Sequence, residues 1–401
     1  MKKTILQINI VCGVGSTGRI AVDLSNTIDK NKYDMYIAYG YGKTEKKNTI
    51  KIGTKLEYMV HNILSRLTGR QGRYSYFATK RFLKKVDKIK PDLIHLHNIH
   101  GNYINYKLLF GYINKRQIPV VWTFHDVWPI TGKCTHFDYI KCDKWKSGCY
   151  NCPNLKEYPK SFVDNSKKEY MTKKQIFTAI NELYIVTPSI WMAELVKKSF
   201  LGEKNIRVIN NGIDLEKFKP QNSEKIIEKY KLKDKIIVIG VANSWNEKKG
   251  LSTFVELAQI LPEEYQIIMV GLEKEQFGLI PNNVIKIERT NSVEELAKLY
   301  SLADVFVNPT LEDNFPTTNI EALACGTPVI TYDTGGAGEM LDKSSGVIVK
   351  KEDIKELVKQ IKSVNKKEKN IFCIKKAMNY NKDEKFKEYE KLYDKILKET
   401  K

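Results

Sequence analysis

The chain has 401 residues and a formal net charge of +20, with 42% hydrophobic and 28% charged residues. This is the composition of a globular protein, and the length is enough for two domains that each bury a core. No run reaches the roughly 18 apolar residues of a membrane span, and the apolar stretch after Met1 is too short for a cleaved signal, so we expect a soluble cytoplasmic protein.

Short apolar runs alternate with helical periodicity along most of the chain, which predicts an α/β fold class with two facing Rossmann-like, doubly wound parallel sheets. The predicted strands are residues 4–11, 34–39, 92–97, 120–124 and 184–187, then 236–241, 266–270, 284–287, 304–308, 329–332 and 346–349. Ligands of such sheets bind beyond the carboxyl ends of the strands. We therefore expect functional residues there, in a cleft between the domains.

The first predicted strand ends in a glycine-rich turn, CGVGSTGR at residues 12–19. Gly15 and Gly18 lie where this turn opens a helix, and a backbone without side chains can approach a phosphate closely. The turn is not a full dinucleotide-binding fingerprint, and no acidic residue ends the second strand to bind a ribose. A nicotinamide-dependent dehydrogenase is therefore disfavoured.

Residues 51–90 are strongly basic, with eleven Lys or Arg against Glu57 and Asp87, and aromatic residues lie among them. Basic and aromatic residues on an amphipathic helix suit an anionic membrane surface. A solvated helix face gives the same pattern, so both interpretations stay open. Nucleic acid attracts the same charge, but no nucleic-acid-binding motif accompanies the segment, and we expect no such partner.

The fourth predicted strand leads into WTFHDVWP, which sets His125 and Asp126 at a strand end. A histidine there can donate to and accept from a sugar hydroxyl, although a buried core histidine would fit as well. The spacing of His95, His97 and His100 on the preceding strand and its loop suggests that they line the cleft and do not bind a metal.

Four of the seven cysteines fall close together in an insertion at residues 130–160: Cys134, Cys142, Cys149 and Cys152. Disulfides are not expected to persist in a cytoplasmic protein. Four thiolates could hold a structural zinc ion, but the first pair is spaced more widely than in a usual zinc knuckle. Zinc ligation and free thiols are both compatible with the pattern.

In the second half, the strand at 236–241 leads into VANSWNEKKG, where Asn243 and Lys249 precede a helix. A cation at this position can neutralise a phosphate, and Lys248 is a second candidate. Gly335 and Gly336 follow the strand at 329–332, and amides in such a turn also bind anions.

Residues 308–336, NPTLEDNFPTTNIEALACGTPVITYDTGG, place Asp313 and Glu321 around a predicted helix N-terminus. The amides of that N-terminus and the positive end of the helix dipole favour an anion. Glu321, one turn into the helix, can accept two sugar hydroxyls, and Asp313 on the loop can reach a second sugar. Each acid alone is compatible with an ordinary loop or first-turn residue.

These motifs together resemble the retaining glycosyltransferases of family 4, which have two Rossmann-like domains. That family has two glutamates separated by seven residues where this chain has Asp313 and Glu321, and an Arg and a Lys where it has Asn243 and Lys249. Glu312 is one residue out of register with Phe315. The family also has a Thr-x-His-Asp element like the one ending at Asp126, and the cysteine-rich insertion resembles a subgroup acting on bacterial capsule and exopolysaccharide, including colanic acid.

The resemblance implies transfer of a hexose-type sugar from a UDP- or GDP-sugar, with retention, to a glycan or a polyprenyl-diphosphate-linked acceptor, and no catalytic cofactor. It implies an acceptor-side domain at 1–214, a donor-binding domain at 215–380 and a terminal helix at 381–401 that packs back on the first domain. It implies catalytic roles for His125, Lys249, Asp313 and Glu321, and donor contacts for Gly15, Gly18, Asn243, Phe315, Pro316, Thr317, Thr318, Gly335 and Gly336.

Other classes stay open at this point. A sugar-nucleotide epimerase on a similar scaffold would need additional acid and base residues, and a phosphorylase of the glycogen type would need a pyridoxal lysine. A non-enzymatic basic protein that binds membrane or nucleic acid would need none of the residues named above.

Overall fold

A computed structural model describes residues 2–364 and 369–399. The chain divides into two compact units: unit 1 contains residues 1–210 and 385–401, and unit 2 contains residues 211–384. No helix in the described residues is both long enough and apolar enough to cross a membrane.

Unit 1 is built on seven parallel strands in the order β3-β2-β1-β4-β5-β6-β7. The strands are β1 (Lys3–Val11), β2 (Tyr33–Tyr41), β3 (Thr49–Lys51), β4 (Leu93–Leu96), β5 (Val120–Thr123), β6 (Leu183–Thr187) and β7 (Asn205–Val208). The helices are α1 (Gly15–Thr27), α2 (Lys55–Thr68), α3 (Tyr76–Ile89), α4 (Tyr106–Arg116), α5 (Ser166–Thr178) and α6 (Ile190–Lys197). The central strands β4, β5 and β6 are buried along their whole length.

Unit 2 is built on six parallel strands in the order β10-β9-β8-β11-β12-β13. The strands are β8 (Ile236–Val241), β9 (Tyr265–Val270), β10 (Val284–Ile287), β11 (Val305–Asn308), β12 (Val329–Tyr332) and β13 (Gly346–Val349). The helices are α7 (Glu224–Tyr230), α8 (Leu251–Ile260), α9 (Val293–Leu302), α10 (Thr317–Ala324), α11 (Ile354–Lys362) and α12 (Ile371–Met378). The last helix, α13 (Lys382–Glu399), begins in unit 2 and belongs to unit 1 from Lys385 onward.

The prediction of two parallel doubly wound sheets is confirmed, and the predicted strands are present within one or two residues of their expected ends. Two short strands were not predicted. Strand β3 has three residues, and β7 is largely exposed, with Arg207 in its middle. They are the two edge strands of the sheet. An edge strand pairs on one side only and can leave polar side chains exposed, so its apolar alternation is weak.

Helix α13 packs its apolar stripe on the sheet of unit 1, where Tyr389 and Tyr393 are buried among Ile5, Leu93 and Val121. His95 fastens this helix to the sheet. Its Nδ1 lies 2.6 Å from the Tyr393 hydroxyl and its Nε2 lies 2.8 Å from Thr123 Oγ1. The expectation that His95 lines a cleft is therefore wrong, because the side chain points from β4 into the layer beneath α13.

Tyr393→Ala should lower the free energy of unfolding by about 3–5 kcal/mol, because it empties a buried aromatic site. Tyr393→Phe should lower it by about 1–3 kcal/mol, because only the hydroxyl partner of His95 is lost. Chemical denaturation measures both. The control is Lys391→Ala on the exposed side of the same helix, and an equal loss in the control would contradict the packing described here.

Candidate active site

The carboxyl edge of the unit 2 sheet is organised around two neighbouring strands, β8 and β11. After β8, the Asn246 side chain accepts from the Lys249 amide at 3.1 Å and shapes a single 3-10 turn. Gly250 follows with a φ of 79°, and a Cβ there would lie 2.5 Å from Pro309 Cγ, so only glycine fits. The loop after β11 is held against this turn, since the Leu311 amide donates to the Lys248 carbonyl at 2.8 Å.

Two ion pairs link these loops. Lys249 Nζ lies 2.5 Å from Asp313 Oδ2, and Lys248 Nζ lies 3.0 Å from Glu312 Oε2. The two acids differ in accessibility, because Glu312 is only 7% exposed whereas Asp313 is half-buried. The structure thus brings together the predicted residues Lys249 and Asp313, and gives the buried Glu312 a half-buried partner of its own, Lys248.

Helix α10 begins directly after this loop, with Pro316 at its N-cap and no side-chain cap on its first amides. The Phe315 side chain is buried and packs against Tyr380 with ring centroids 5.8 Å apart, so only its backbone faces the helix start. The Asn319 side chain holds the start of this helix by two hydrogen bonds. Its Oδ1 accepts from Asn308 Nδ2 at 2.7 Å, and its Nδ2 donates to the Ala337 carbonyl at 2.9 Å.

The Ala337 contact joins the start of α10 to the turn after β12, which contains the predicted residues Gly335 and Gly336. Gly335 has a φ of 55°, in the left-handed region, and the Ala337 amide donates to the Thr334 carbonyl at 2.9 Å. The Thr334 hydroxyl is buried and has no hydrogen-bond partner. A buried hydroxyl without a partner is unfavourable unless a ligand or water meets it, so this turn is suited to binding one.

Glu321 lies on the first turns of α10, where its Oε2 accepts from the Tyr300 hydroxyl at 3.2 Å. Burial, followed by the nearby Glu321 charge, holds the pKa of Tyr300 well above its usual value, so this phenol stays a donor. Tyr300 was missed by the sequence reasoning. The available signal was an aromatic residue on the apolar face of α9, which also marks ordinary core residues.

Two further residues stand at the same edge. Asn243 follows β8 and is exposed, and Arg289 follows β10 and is also exposed. Arg289 was not predicted, although a cation two residues beyond a strand end could have been noticed. It borders a cavity of about 800 Å³ that contains none of the predicted donor residues. That cavity lies along α7 and α9, so its size alone does not make it the active site.

In unit 1, the glycine-rich turn connects β1 to α1 as predicted. Gly15 is exposed with a φ of 64° and has open space where a side chain would be. Gly18 is buried, and a Cβ there would lie 3.0 Å from Val11 and 3.2 Å from the Gly13 amide nitrogen. Gly18 therefore allows the close packing of the turn, and Gly15 lies on its accessible side.

His125 belongs to a hydrogen-bonded chain whose direction is fixed by Gln7. Gln7 Nε2 donates to the Ala21 carbonyl at 2.9 Å, so its Oε1 accepts from His97 Nε2 at 2.9 Å. His97 Nδ1 must then accept, and His125 Nε2 donates to it at 3.0 Å. Burial lowers the pKa of His97 well below its usual value and that of His125 to about 4. His125 is therefore neutral near pH 7 and has a fixed tautomer.

Asp126 orients the neighbouring loop. Its Oδ1 accepts from the Trp128 amide at 2.9 Å, and its Oδ2 accepts from His100 Nε2 at 2.7 Å. Burial by itself would raise the pKa of this carboxyl, but the His100 and Trp128 contacts lower it overall. His100 Nδ1 lies 3.1 Å from the Tyr158 hydroxyl, and Tyr158 borders a cavity of about 460 Å³ in unit 1.

The four clustered cysteines lie close together in the insertion, but their side chains are not arranged as a metal site. Among the described residues, no group of three or more His, Cys, Asp or Glu side chains is arranged to hold a metal ion. The Cys134 thiol donates to Cys152, which lowers the pKa of Cys152. Cys142 and Cys149 pack against the apolar core, and the Cys149 sulfur accepts from the Gly132 amide at 3.1 Å. Zinc here stays a prediction that this geometry does not support.

Two family models match the chain. The model for group 1 glycosyl transferases matches residues 222–391, and the model for glycosyltransferase family 4 matches residues 17–217, half of the chain. This chain belongs to glycosyltransferase family 4. It is therefore a glycosyltransferase, which decides against the epimerase, phosphorylase and non-enzymatic alternatives.

Similar proteins extend over most of this family 4 glycosyltransferase. The putative colanic acid biosynthesis glycosyl transferase WcaC of Escherichia coli K12 is 27% identical over 373 residues, which cover 88% of this chain and 89% of that protein. The N,N'-diacetylbacillosaminyl-diphospho-undecaprenol alpha-1,3-N-acetylgalactosaminyltransferase of Campylobacter jejuni is 27% identical over 222 residues, covering 51% of this chain and 58% of that protein.

Solved structures share the fold. Sucrose-phosphate synthase from Thermosynechococcus elongatus matches with a TM-score of 0.71 at 17% identity, covering 98% of this chain and 99% of that one. Anabaena HepE in complex with UDP matches with a TM-score of 0.68 at 13% identity, covering 98% and 100%. At these identities the likeness establishes the two-sheet GT-B fold of the family.

The free energy of unfolding should fall as the pH is lowered from 6.5 towards 4. Burial lowers the pKa of His61 and His95 to about 3 and that of His125 to about 4, against 6.5 for an ordinary histidine. Below pH 6.5 the unfolded chain binds protons that the folded chain does not, which costs about 1.4 kcal/mol per pH unit for each histidine.

Chemical denaturation across this pH range measures the slope. His61→Asn, in which the buried group cannot titrate, should have a smaller slope than the wild-type protein. Equal slopes in the two proteins would contradict a neutral buried His61.

Proposed function

We propose that this glycosyltransferase transfers a hexose-type sugar, with retention of configuration, from a nucleoside-diphosphate sugar to a glycan or lipid-linked acceptor in surface polysaccharide synthesis. The observation that carries the proposal is the Lys249–Asp313 ion pair just before the uncapped N-terminus of α10. The names of similar proteins support the pathway, since they include WcaC and a capsular polysaccharide biosynthesis glycosyltransferase, CapM, of Staphylococcus aureus.

The donor diphosphate would bind where three kinds of positive group converge in unit 2. These are the first amides of α10 after Pro316, the Lys249 ammonium, and the Gly335–Gly336 turn that Asn319 ties to the helix. Amides at a helix start and in such a turn both favour phosphate oxygens. Thr317 and Thr318 are half-buried at this start and could add hydroxyl contacts.

Departure of the diphosphate is the difficult step, because negative charge builds on the leaving oxygen while positive charge builds at the sugar. Lys249 and the α10 amides would stabilise the leaving group, the task that a divalent metal performs in other enzymes. Glu321 would accept the ribose hydroxyls, held in place by Tyr300. When the diphosphate takes over Lys249, the Asp313 carboxylate would turn to the hydroxyls of the transferred sugar.

His125 would contact the transferred sugar as a neutral hydrogen-bonding group. Its Nε2 proton is donated to His97, so the imidazole would meet a sugar hydroxyl in a fixed tautomer. By analogy with the family, the acceptor would attack from the face that the diphosphate leaves. A phosphate oxygen would then take the acceptor proton, so no separate general base is needed.

The acceptor would bind to unit 1, where the cavity of about 460 Å³ is bordered by Tyr41, Tyr58 and Tyr158 with Arg66 and Lys160. Aromatic rings beside polar groups suit a sugar, and the two cations suit an acceptor carried on a diphosphate. UDP-sugars are the first donors to test, because Anabaena HepE has been solved with UDP and with UDP-glucose. A GDP-sugar is the second.

Asp313→Ala and Glu321→Ala should each lower transfer by about two to three orders of magnitude, because each removes contacts that position the reacting sugar or its nucleotide. The assay supplies UDP- and GDP-sugars with a membrane extract and measures nucleoside diphosphate and glycan product. Glu275→Ala, at an exposed acid of the same unit, is the matched control. Wild-type rates in both folded variants would refute this site assignment.

A thermal-shift screen against UDP, GDP and their sugars should raise the Tm with the donor nucleotide, because a ligand that binds only the folded state stabilises it. Lys249→Ala should raise the dissociation constant for the donor nucleotide by about tenfold or more. Lys274→Ala, an exposed lysine of unit 2, should leave the shift unchanged. Equal shifts in both variants would remove Lys249 from the diphosphate site.

A further inference from the structure

Helix α2 has its apolar side turned outward. Leu56, Met59, Val60, Ile63 and Leu67 are all between 48% and 70% exposed, whereas His61 and Ser65 on the opposite side are buried. A helix that packs only on its own domain buries the apolar stripe and exposes the polar one. In α2 the order is reversed, which indicates that the apolar stripe has a partner outside unit 1.

The apolar stripe continues beyond the helix. The Phe162 amide donates to the Arg66 carbonyl at 2.8 Å, which fixes this residue at the C-terminal end of α2, and its side chain is 76% exposed. We define the α2 surface as the six exposed residues Leu56, Met59, Val60, Ile63, Leu67 and Phe162. A contiguous group of large apolar side chains on a soluble domain marks a protein or membrane contact.

The residues around the α2 surface are basic. Lys55, Arg66 and Lys160 are exposed beside it, and the next helix, α3, exposes Lys80, Arg81, Lys84 and Lys85. Residues 51–90 carry eleven Lys or Arg and two acids, a net charge of +9. One of those acids, Glu57, is already paired with Arg81. Apolar side chains surrounded by cations are the composition of a helix that lies on an anionic membrane.

Other partners fit this composition less well. A second copy of the chain would bring together two surfaces of the same positive charge, and the whole chain carries +20. Nucleic acid would satisfy the cations, but it would leave the six apolar side chains of the α2 surface in water. A solvated helix would expose its polar side. An acidic lipid surface satisfies both the charge and the apolar side chains.

We propose that the α2 surface docks unit 1 on an anionic membrane, with its apolar side chains in the boundary between headgroups and acyl chains. Burial to a depth of about 5–10 Å is usual for such helices. Tyr58, Asn62 and Ser65 on the other side of α2, with Arg66 at its edge, border the cavity of about 460 Å³. If the proposed function holds, the acceptor class follows: a sugar carried on a lipid anchored in that membrane.

Sedimentation with phospholipid vesicles tests the docking without donor or acceptor, so its result is independent of the proposed activity. The wild-type protein should sediment with vesicles that contain phosphatidylglycerol, should not sediment with pure phosphatidylcholine, and should be released by salt. The double variant Ile63→Glu, Leu67→Glu should bind at least about tenfold more weakly, because two apolar side chains no longer enter the bilayer.

The matched control is Met171→Glu, Met378→Glu. Both methionines are more than half exposed, at 57% and 59%, and the pair makes the same change in net charge away from the α2 surface. It should bind as the wild-type protein does, and thermal unfolding should be alike in all three proteins. Absence of vesicle binding, equal binding of the two double variants, or equal binding to pure phosphatidylcholine would each overturn the proposal.

A second measurement separates the acceptor class from the docking. With the donor at a fixed concentration, Ile63→Glu, Leu67→Glu should lose transfer to acceptors in intact membranes and keep transfer to the same acceptors dissolved in detergent. It should also keep the thermal shift with the donor nucleotide. Full transfer in intact membranes by this variant would show that docking through α2 does not present the acceptor.

Discussion

The constraint on which both units depend is the reversal of strand order at the centre of each sheet, between β1 and β4 and between β8 and β11. At such a point the chain leaves two neighbouring parallel strands toward opposite faces, so a crevice opens beyond their carboxyl ends. In unit 2 the two loops at this crevice carry Lys249 and Asp313. In unit 1 the glycine-rich turn follows β1 and His97 follows β4. Residues far apart in the chain become neighbours because of strand order alone.

Opposite charges are balanced at the unit 2 crevice, so the proposed donor site would be stable before a diphosphate binds. Two lysines stand against two carboxylates, with Lys248 paired to Glu312 and Lys249 paired to Asp313. The side chains of Lys248 and Glu312 are 27% and 5% exposed, whereas those of Lys249 and Asp313 are 36% and 19% exposed, so the second pair is more accessible. In the proposed donor site, a diphosphate would replace Asp313 without leaving Lys249 unpaired, which avoids the cost of an unpaired charge. Where the family pattern has a second cation, Asn243 adds none, so the helix amides would contribute more to binding the diphosphate.

The chemistry of unit 1 is different, because burial lowers the pKa of His61, His95, His97 and His125 below the usual histidine value. A neutral imidazole has one donor and one acceptor, so a chain that starts at Gln7 has a single direction through His97 to His125. His95, two residues from His97, faces the same side of the sheet, with the two ring centroids 4.2 Å apart, and holds α13 through Tyr393. Eleven Lys or Arg are concentrated instead in residues 51–90, which include α2 and α3. Unit 1 therefore has directional hydrogen bonds in its interior and a concentration of positive charge at its surface.

The sequence by itself determined the strands with strong apolar patterns, the start of α10, the spacing of Asp313 and Glu321, and the stripe on α13. These depend on local periods and on neighbours in the chain. Only the tertiary structure decided that β3 and β7 are strands, that Glu312 pairs with Lys248, that His95 lies beneath α13, that the cysteines lack a zinc-like arrangement, and that α2 turns its apolar side outward. Each of these depends on which distant residue covers or contacts a side chain, and a one-dimensional pattern has no information about that contact.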